Sequence, residues 1–183
     1  MPAMADEVVL RLATLADVPA IDALMKVSTR ELFPAFYDER QTASAVEFIA
    51  HVDTMLVADA TYFALEADGE IVACGGWSRR DKLFSGSSDQ EGLDRLLDPA
   101  TDAARVRAMF VRSDWTRRGL GTRILEACEA AARVEGFGRM SLMATLPGYL
   151  LYARYGFREL GRDDITLPDG ARLECVTMEK SLD

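Results

Sequence analysis

The stretch RVRAMFVRSDWTRRGLGTR, from Arg105 to Arg123, has the pattern of a strand, a tight basic turn and the start of a helix. An apolar run with β-branched and aromatic members, residues 106–111, predicts a short buried strand. Polar residues end that run, and a glycine-containing turn follows. From Gly119 onward, apolar residues recur at the spacing of one buried helix face, and Gly136 suits the position just past the helix end. That predicted face consists of Ile124, Leu125, Cys128, Ala131 and Ala132.

The turn has the chemistry of an anion-binding site. The first N–H groups of a helix have no partner inside the helix, and the helix dipole adds partial positive charge to them. Gly119 and Gly121 let a ligand approach the backbone without meeting a Cβ atom. Arg117, Arg118 and, further on, Arg123 add full positive charges that pair well with phosphate. The turn therefore predicts a pyrophosphate cradle, and the alternative on these residues alone is a strand, loop and helix with solvated arginines.

The spacing excludes two common nucleotide-binding motifs. A P-loop requires Gly-Lys-Ser/Thr after its glycine run, and no such triplet follows Gly121. A dinucleotide-binding fingerprint requires a third glycine, whereas Ile124 occupies that position. The predicted cradle therefore belongs to another class of phosphate-binding turn.

A second motif lies about thirty residues beyond the turn and decides the class. Residues Leu151–Phe157 read LYARYGF, and Phe110-Val111 precedes the turn TRRGLG. Together these segments resemble the acetyl-CoA turn and the later tyrosine motif of the GCN5-related N-acetyltransferase superfamily. Thr116 departs from the pattern, because the family usually has glutamine or arginine there. The motif-bearing resemblance covers residues 104–160, and the first hundred residues match only in the order of their elements.

The resemblance implies a fold and a co-substrate. The expected fold is α/β (α+β), with a mixed, mostly antiparallel central sheet flanked by helices, and residues 1–183 form one domain. Acetyl-CoA is the implied co-substrate, and an acetyl group passes to a primary amine of a small molecule or protein by direct attack in a ternary complex. Thr145 stands where many members carry an asparagine that contacts the cofactor. The implied acetyl-CoA contacts are Phe110 and Val111, through their backbone groups, and Thr116, Arg117, Arg118, Gly119, Leu120, Gly121 and Thr122.

The resemblance also implies a catalytic acid. The tyrosine of the late motif often protonates the leaving thiolate in this superfamily, and that position is Tyr152. A phenol with a pKa of about 10 donates to a thiolate with a pKa of about 8.5 only slightly uphill, so fixed geometry matters. The alternative is a helix tyrosine that packs its ring and turns its hydroxyl to solvent. Tyr155, three residues on, is expected to pack.

The sequence gives weaker signals for the residues of the acceptor site and for the general base. Phe33 and Tyr37, in an aromatic cluster with Phe36, fall between the first two predicted helices, a region that often lines the acceptor site in this superfamily. They are candidate substrate-binding residues, and a contribution to the hydrophobic core is the alternative. Acidic residues of a later loop are candidates to attract a cationic amine, namely Asp81, Asp89, Glu91 and Asp94. No base is assigned, since Glu31, Glu66, Glu70 and Glu174 all have solvated surface positions as their simpler interpretation.

Composition limits the partners. The net charge of −9 argues against broad nucleic-acid binding. No apolar run approaches the roughly 20 residues of a membrane span, and the N-terminus lacks the pattern of a secretory signal, so a cytoplasmic protein without membrane contact is expected. Three separated cysteines predict buried free thiols, and a single histidine, His51, excludes a two-histidine metal site. No metal is expected, and a homodimer is left open.

The hydrophobic pattern predicts the remaining elements in order. The connection over residues 79–104 is the least regular, with one helical turn expected near residues 93–97. The predicted elements begin with a strand over 8–12, a helix with Ile21, Leu24, Met25 and Ser28 inward, and a helix over 43–51 capped by Thr42. Strands over 61–66 and 71–77 follow, joined at Asp68-Gly69. After the turn and its helix come a strand over 139–144, a helix over 148–155, a strand from Phe157, and a strand over 173–178 that follows a turn at 168–170.

Two functions from different classes fit these residues. The leading hypothesis is an acetyl-CoA-dependent N-acetyltransferase. The alternative is a non-catalytic acyl-CoA-binding or regulatory module, which Thr145 and the lack of a carboxylate in residues 104–111 favour, whereas Tyr152 favours the enzyme.

Overall fold

The computed structural model describes residues 7–82 and 95–183. The acidic residues Asp89, Glu91 and Asp94 lie outside the described residues. A helical turn was expected near residues 93–97. Within the described residues of that span the prediction is wrong, because Leu96 forms an isolated β-bridge with Arg80.

In the described part of the chain, seven strands form one sheet in the order β1-β2-β3-β4-β5-β7-β6. Neighbouring strands are antiparallel except β4 and β5, which are parallel. The mixed, mostly antiparallel sheet predicted from the sequence is therefore confirmed. The strands are β1 Val8–Leu12, β2 Tyr62–Ala67, β3 Glu70–Ser78, β4 Ala104–Val111, β5 Arg139–Thr145, β6 Arg158–Thr166 and β7 Arg172–Ser181.

Five α-helices flank the sheet in the described residues. They are α1 Val18–Leu32, α2 Glu39–Phe48, α3 Thr54–Ala58, α4 Leu120–Val134 and α5 Tyr149–Tyr155. Helix α3 was not predicted, because it is a five-residue segment, too short to show a helical hydrophobic period. The buried residues of α1 include the four expected ones, and the buried face of α4 matches except at Ala131, which is only partly buried.

The helices cover opposite faces of the sheet. Successive strand residues point to opposite faces, and on β2 Ala64 packs with the cluster that contains α1 and α3. The next residue, Leu65, packs with the cluster that contains α4 and α5. A third cluster joins α2 to β6 and β7. The facing edges of β4 and β5 therefore lie between two layers of helices.

The start of α2 differs from the sequence prediction. The helix begins at Glu39 rather than near residue 43, and Asp38 is the N-cap because its carboxylate accepts from the N–H of Gln41 at 2.7 Å. The amide oxygen of Gln41 accepts from the Asp38 N–H in return, which completes a capping box. Thr42, the predicted cap, is buried, and no described residue bonds its hydroxyl. His51 lies beyond the helix end and is exposed, as expected for a surface residue.

We expect Asp38→Ala to lower the free energy of unfolding by about 1 kcal/mol, because the N–H of Gln41 loses its acceptor. Asp38→Asn is the matched control, since asparagine caps helices about as well as aspartate. Urea denaturation monitored by circular dichroism measures both. A loss on Thr42→Ala with none on Asp38→Ala would restore the original assignment.

Candidate active site

Strands β4 and β5 separate almost as soon as they pair. Their parallel ladder contains only Ala104 opposite Met140 and Arg105 opposite Ser141. Beyond Arg105, β4 stays paired with β3, whereas β5 stays paired with β7 along its length. The divergence leaves a cavity of about 80 Å³ between the two strands. Its lining consists of Ile49, Val106, Ala108, Met109, Phe110, Leu142, Met143, Thr145, Tyr152, Ile165 and Cys175.

A bulge bends β4 at the cavity. The register with β3 shifts between Cys74 and Gly76, and Ala108 has a φ of +52°. This angle is uncommon for a residue with a Cβ and stores local strain. The hydroxyl of Tyr62 donates to the Ala108 carbonyl at 2.8 Å and holds the bulge. A Cβ on Gly75 of the neighbouring strand would lie 2.1 Å from the sulfur of Met109, so a larger residue there would displace the Met109 side chain.

The segment after β4 presents unbonded backbone donors. A short 3₁₀ helix over Ser113–Trp115 leads to the turn, where Arg117 and Gly119 have positive φ angles of 63° and 79°. Helix α4 then begins at Leu120 with no side-chain cap. Among the described residues, nothing accepts a hydrogen bond from the N–H groups of residues 120–122. Because such donors attract anions, the start of α4 fits a phosphate group.

Two arginines remain available beside these donors. Arg117 and Arg118 are exposed, and within residues 7–82 and 95–183 neither forms an ion pair. The guanidinium carbon of Arg118 lies 4.4 Å from the ring centroid of Trp115, which holds the charge near the turn. Arg123, the third candidate, instead donates to the Val8 carbonyl at 3.0 Å and ties α4 to β1.

The other arginines of this stretch are engaged elsewhere. Arg112, which directly follows the last residue of β4, bonds the carboxylates of Glu70 and Asp114. The guanidinium lowers the pKa of Asp114 below its usual value through this hydrogen bond. Arg105 bonds Asp81 at 3.0 Å. The charge near the start of α4 therefore depends mainly on Arg117 and Arg118.

Gly121 has a role in packing. A Cβ on this residue would lie 2.6 Å from a Cδ of Leu151, which belongs to α5. Gly119 differs, because no heavy atom lies within 4 Å of its Cβ position and its positive φ is the reason for glycine. A larger side chain at residue 121 therefore disturbs the contact between α4 and α5 as well as ligand approach.

Tyr152 reaches the cavity from α5. The side chain is 8% exposed, and its ring packs edge-on against Phe157 at 5.9 Å between centroids. No described residue bonds its hydroxyl. Burial raises the pKa of Tyr152 above its usual value, so the phenol keeps its proton. Tyr155, by contrast, donates to Glu129 at 2.8 Å.

A sequence profile of the Acetyltransferase (GNAT) family matches residues 22–157, a span that includes the divergent strands, the turn and Tyr152. The chain belongs to this family.

Solved structures of GNAT proteins share the fold at low sequence identity. The GCN5-related N-acetyltransferase of Rhodopseudomonas palustris is 20% identical with a TM-score of 0.70, over 98% of this chain and 99% of that one. PaiA N-acetyltransferase of Thermoplasma acidophilum, in complex with coenzyme A, is 13% identical with a TM-score of 0.64, over 96% and 99%. The ribosomal-protein-alanine N-acetyltransferase of Brucella melitensis is 18% identical with a TM-score of 0.60, over 94% and 99%. No curated protein sequence matches the chain.

Of the two predicted GNAT acetyl-CoA residues of β4, Phe110 lines the cavity and Val111 follows it in the chain. Phe110 and Val111 pair with Cys74 and Ala73 of β3 on one edge. Their other edge faces the gap, where the ladder with β5 has already ended. The Val111 carbonyl accepts from the Ser28 hydroxyl at 2.8 Å, which leaves its second lone pair available. Thr145, at the end of β5, also lines the cavity.

Phe33 and Tyr37 lie in the core, which was the alternative left open by the sequence. Their side chains are 5% and 6% exposed, and their ring centroids are 5.3 Å apart. They pack with residues of α2, β6 and β7, and neither is among the residues that line the cavity. A direct contact with the acceptor stays a prediction. The neighbouring Phe36 is the exposed member of the cluster.

The four carboxylates considered as bases have other partners. Glu66 pairs with Arg11, Glu70 with Arg112, and Glu174 with Arg162. Glu31 accepts a hydrogen bond from the Ser113 hydroxyl near the end of β4. None of the four lines the cavity.

Within the described part of the chain, no group of His, Cys, Asp and Glu residues is arranged to hold a metal ion. No helix among the described residues is long and apolar enough to cross a membrane.

The structure adds cavity residues that the sequence did not assign. Ile49 directly follows α2, and Met143, Ile165 and Cys175 come from β5, β6 and β7, so only the tertiary fold brings them together. Cys175 is one of three cysteines that are free and buried, as expected. Burial raises the pKa of its thiol to about 12. The cavity therefore disfavours a thiolate.

We expect a double-mutant cycle to detect the contact between Gly121 and Leu151. Gly121→Ala should cost less stability in a Leu151→Ala background than in the native chain, by roughly 0.5–3 kcal/mol. Gly119→Ala is the control, because its cost of roughly 1–2 kcal/mol arises from backbone strain and should be equal in both backgrounds. Thermal denaturation measures all variants. Equal costs for Gly121→Ala in both backgrounds would contradict the packing role.

Proposed function

We propose that the protein is an acetyl-CoA-dependent N-acetyltransferase that transfers an acetyl group to a primary amine by direct attack in a ternary complex. The observation that carries the proposal is the combination of unbonded N–H groups at the start of α4 with a protonated phenol in the cavity between β4 and β5. Family membership supports acetyl transfer, and the coenzyme A bound to the related PaiA enzyme supports the co-substrate.

The residues present fit the two ends of such a co-substrate. The N–H groups of residues 120–122, with Arg117 and Arg118, would bind the pyrophosphate through hydrogen bonds and charge. The open edge of β4 at Phe110 and Val111 would bond the amide-bearing arm as one strand bonds another. When bound, the thioester supplies an activated acetyl group and a thiolate leaving group. The same cavity wall would exclude water from the acetyl group.

Tyr152 would supply the proton that this reaction requires. The neutral amine nitrogen would form a bond to the acetyl carbon, and the C–S bond would break with its electron pair on sulfur. The phenol proton would move to that sulfur, and the nitrogen would lose one proton to solvent, from which the phenol would regain its own. Burial raises the pKa of the phenol, which weakens the acid. The same burial raises the pKa of a thiol, as Cys175 illustrates with a value of about 12. A thiolate formed in the cavity would therefore be a stronger base than in water, and the transfer stays close to balanced.

The test is the release of coenzyme A thiol from acetyl-CoA. The panel contains primary amines of graded size and a peptide with an N-terminal alanine, the acceptor type named for the Brucella relative. An amine-dependent release supports the enzyme and identifies the acceptor class. Tight binding of acetyl-CoA by calorimetry, with no release for any acceptor, would favour the non-catalytic acyl-CoA-binding module.

We expect Arg117→Gln/Arg118→Gln to weaken coenzyme A binding and to flatten its dependence on salt, because screened ion pairs with phosphate are lost. Arg133→Gln/Arg158→Gln removes the same charge away from the turn and should leave both unchanged. Calorimetric titration at two salt concentrations provides the measurement. Equal losses for coenzyme A and dephospho-coenzyme A place the contact at the pyrophosphate, and no loss for either would show that the two arginines do not contact the ligand.

We expect Tyr152→Phe to lower kcat by roughly 10²- to 10⁴-fold, the usual contribution of one acid–base group. KM and stability should change little, because the ring and its contact with Phe157 remain. Tyr155→Phe is the matched control on the same helix and should retain kcat, since its hydroxyl bonds Glu129. Native turnover of Tyr152→Phe on its best amine would remove Tyr152 from the mechanism.

A further inference from the structure

The hydroxyl of Tyr37 connects a backbone group of the turn after β5 with a backbone group of β7. It accepts from the N–H of Leu146 at 2.9 Å and donates to the carbonyl of Glu174 at 2.8 Å. Burial raises the pKa of Tyr37 above its usual value, so the hydroxyl keeps the proton that it donates. Both hydrogen bonds join the segment between α1 and α2 to the end of the sheet near the cavity.

The register explains what this hydroxyl replaces. Strands β5 and β7 pair without interruption from Arg139 opposite Ser181 to Thr145 opposite Cys175. The next pair in that register would be Leu146 opposite Glu174, the two residues that bond Tyr37. The phenol therefore stands where a direct backbone hydrogen bond would otherwise continue the ladder. At this point β5 ends at Thr145, and the chain leaves the sheet in a 3₁₀ turn that contains Pro147.

The chain released at this point carries Tyr152. A 3₁₀ turn over Leu146–Gly148 follows β5 and leads without a break into α5. Gly148 underlies the tyrosine ring so closely that a Cβ there would lie 2.9 Å from a Cε of Tyr152. A displacement of this turn consequently displaces the phenol of Tyr152 within the cavity.

We propose that Tyr37 is a positioning residue that sets the place of the Tyr152 phenol through its hydrogen bonds to Leu146 and Glu174. The inference rests on the proposed function, because it concerns the group assigned as the acid. Tyr37 is not among the residues that line the cavity, and its hydroxyl is connected to α5 through the turn. Without its hydroxyl, the N–H and the carbonyl either stay unsatisfied or bond each other directly, and in both cases the turn shifts.

The test combines Tyr37→Phe with Tyr152→Phe. We expect Tyr37→Phe alone to lower kcat by roughly 10- to 100-fold, the scale of a 1 Å misplacement, with little change in the KM for acetyl-CoA. In the Tyr152→Phe background the same change should lower kcat less than about 3-fold, because the group it positions is gone. Two independent losses that multiply in the double variant would overturn the inference, as would native kcat in Tyr37→Phe.

A structural readout separates this role from general destabilisation. Amide hydrogen exchange by NMR should show faster exchange at Leu146 in Tyr37→Phe and native exchange there in Tyr155→Phe. Leu167→Val is the stability control, because Leu167 belongs to the same core cluster and lies outside the cavity lining. It should lower the melting temperature and retain kcat. An equal loss of kcat in Leu167→Val would reduce Tyr37 to a core residue, whereas a native chain that releases no coenzyme A thiol overturns the proposed function itself.

Discussion

The two-residue ladder between β4 and β5 is the constraint on which the site depends. Strands β1–β4 and β5–β7 each form a continuous ladder, and among residues 7–82 and 95–183 only residues 104–105 and 140–141 join them by backbone pairing. Beyond that point, the facing edges carry N–H and carbonyl groups that a sheet would normally pair. Unpaired backbone groups in an apolar setting are costly, so a gap of this kind favours a ligand that brings amides of its own.

Two buried tyrosines form hydrogen bonds to backbone groups, one on each side of the gap. Tyr62 donates to the carbonyl of Ala108 and stabilises the bulge that bends β4. Tyr37 donates to the carbonyl of Glu174 and ends the ladder of β5. Burial raises the pKa of both phenols, so each remains a donor over the ordinary pH range. Side-chain hydrogen bonds from protonated phenols to backbone carbonyls therefore flank the separated strands on both sides.

The sequence predicted those parts of the site that are local in the chain. The strand, turn and helix around Gly119 depend on short-range signals, and the late motif places Tyr152 on its helix, so both were found. The core positions of Phe33 and Tyr37 depend on contacts with β6 and β7, more than a hundred residues away, and no local pattern reports them. The cap of α2 was predictable in principle, because Asp38 and Gln41 have the spacing of a capping box.

Charge illustrates the same difference between local pattern and tertiary structure. Residues 105–123 contain six arginines and suggest a strongly basic surface in a protein of net charge −9. In the fold, Arg105 bonds Asp81, and Arg112 bonds Glu70 and Asp114. Arg123 bonds the backbone carbonyl of Val8. Arg107 is buried against Asp53. Arg117 and Arg118 therefore supply most of the positive charge at the turn. Because the Debye length is about 8 Å at physiological salt, they act on an anion only at close range. Capture of a phosphate must consequently rely on contact with the N–H groups at the start of α4 rather than on long-range attraction, which an acidic protein cannot provide.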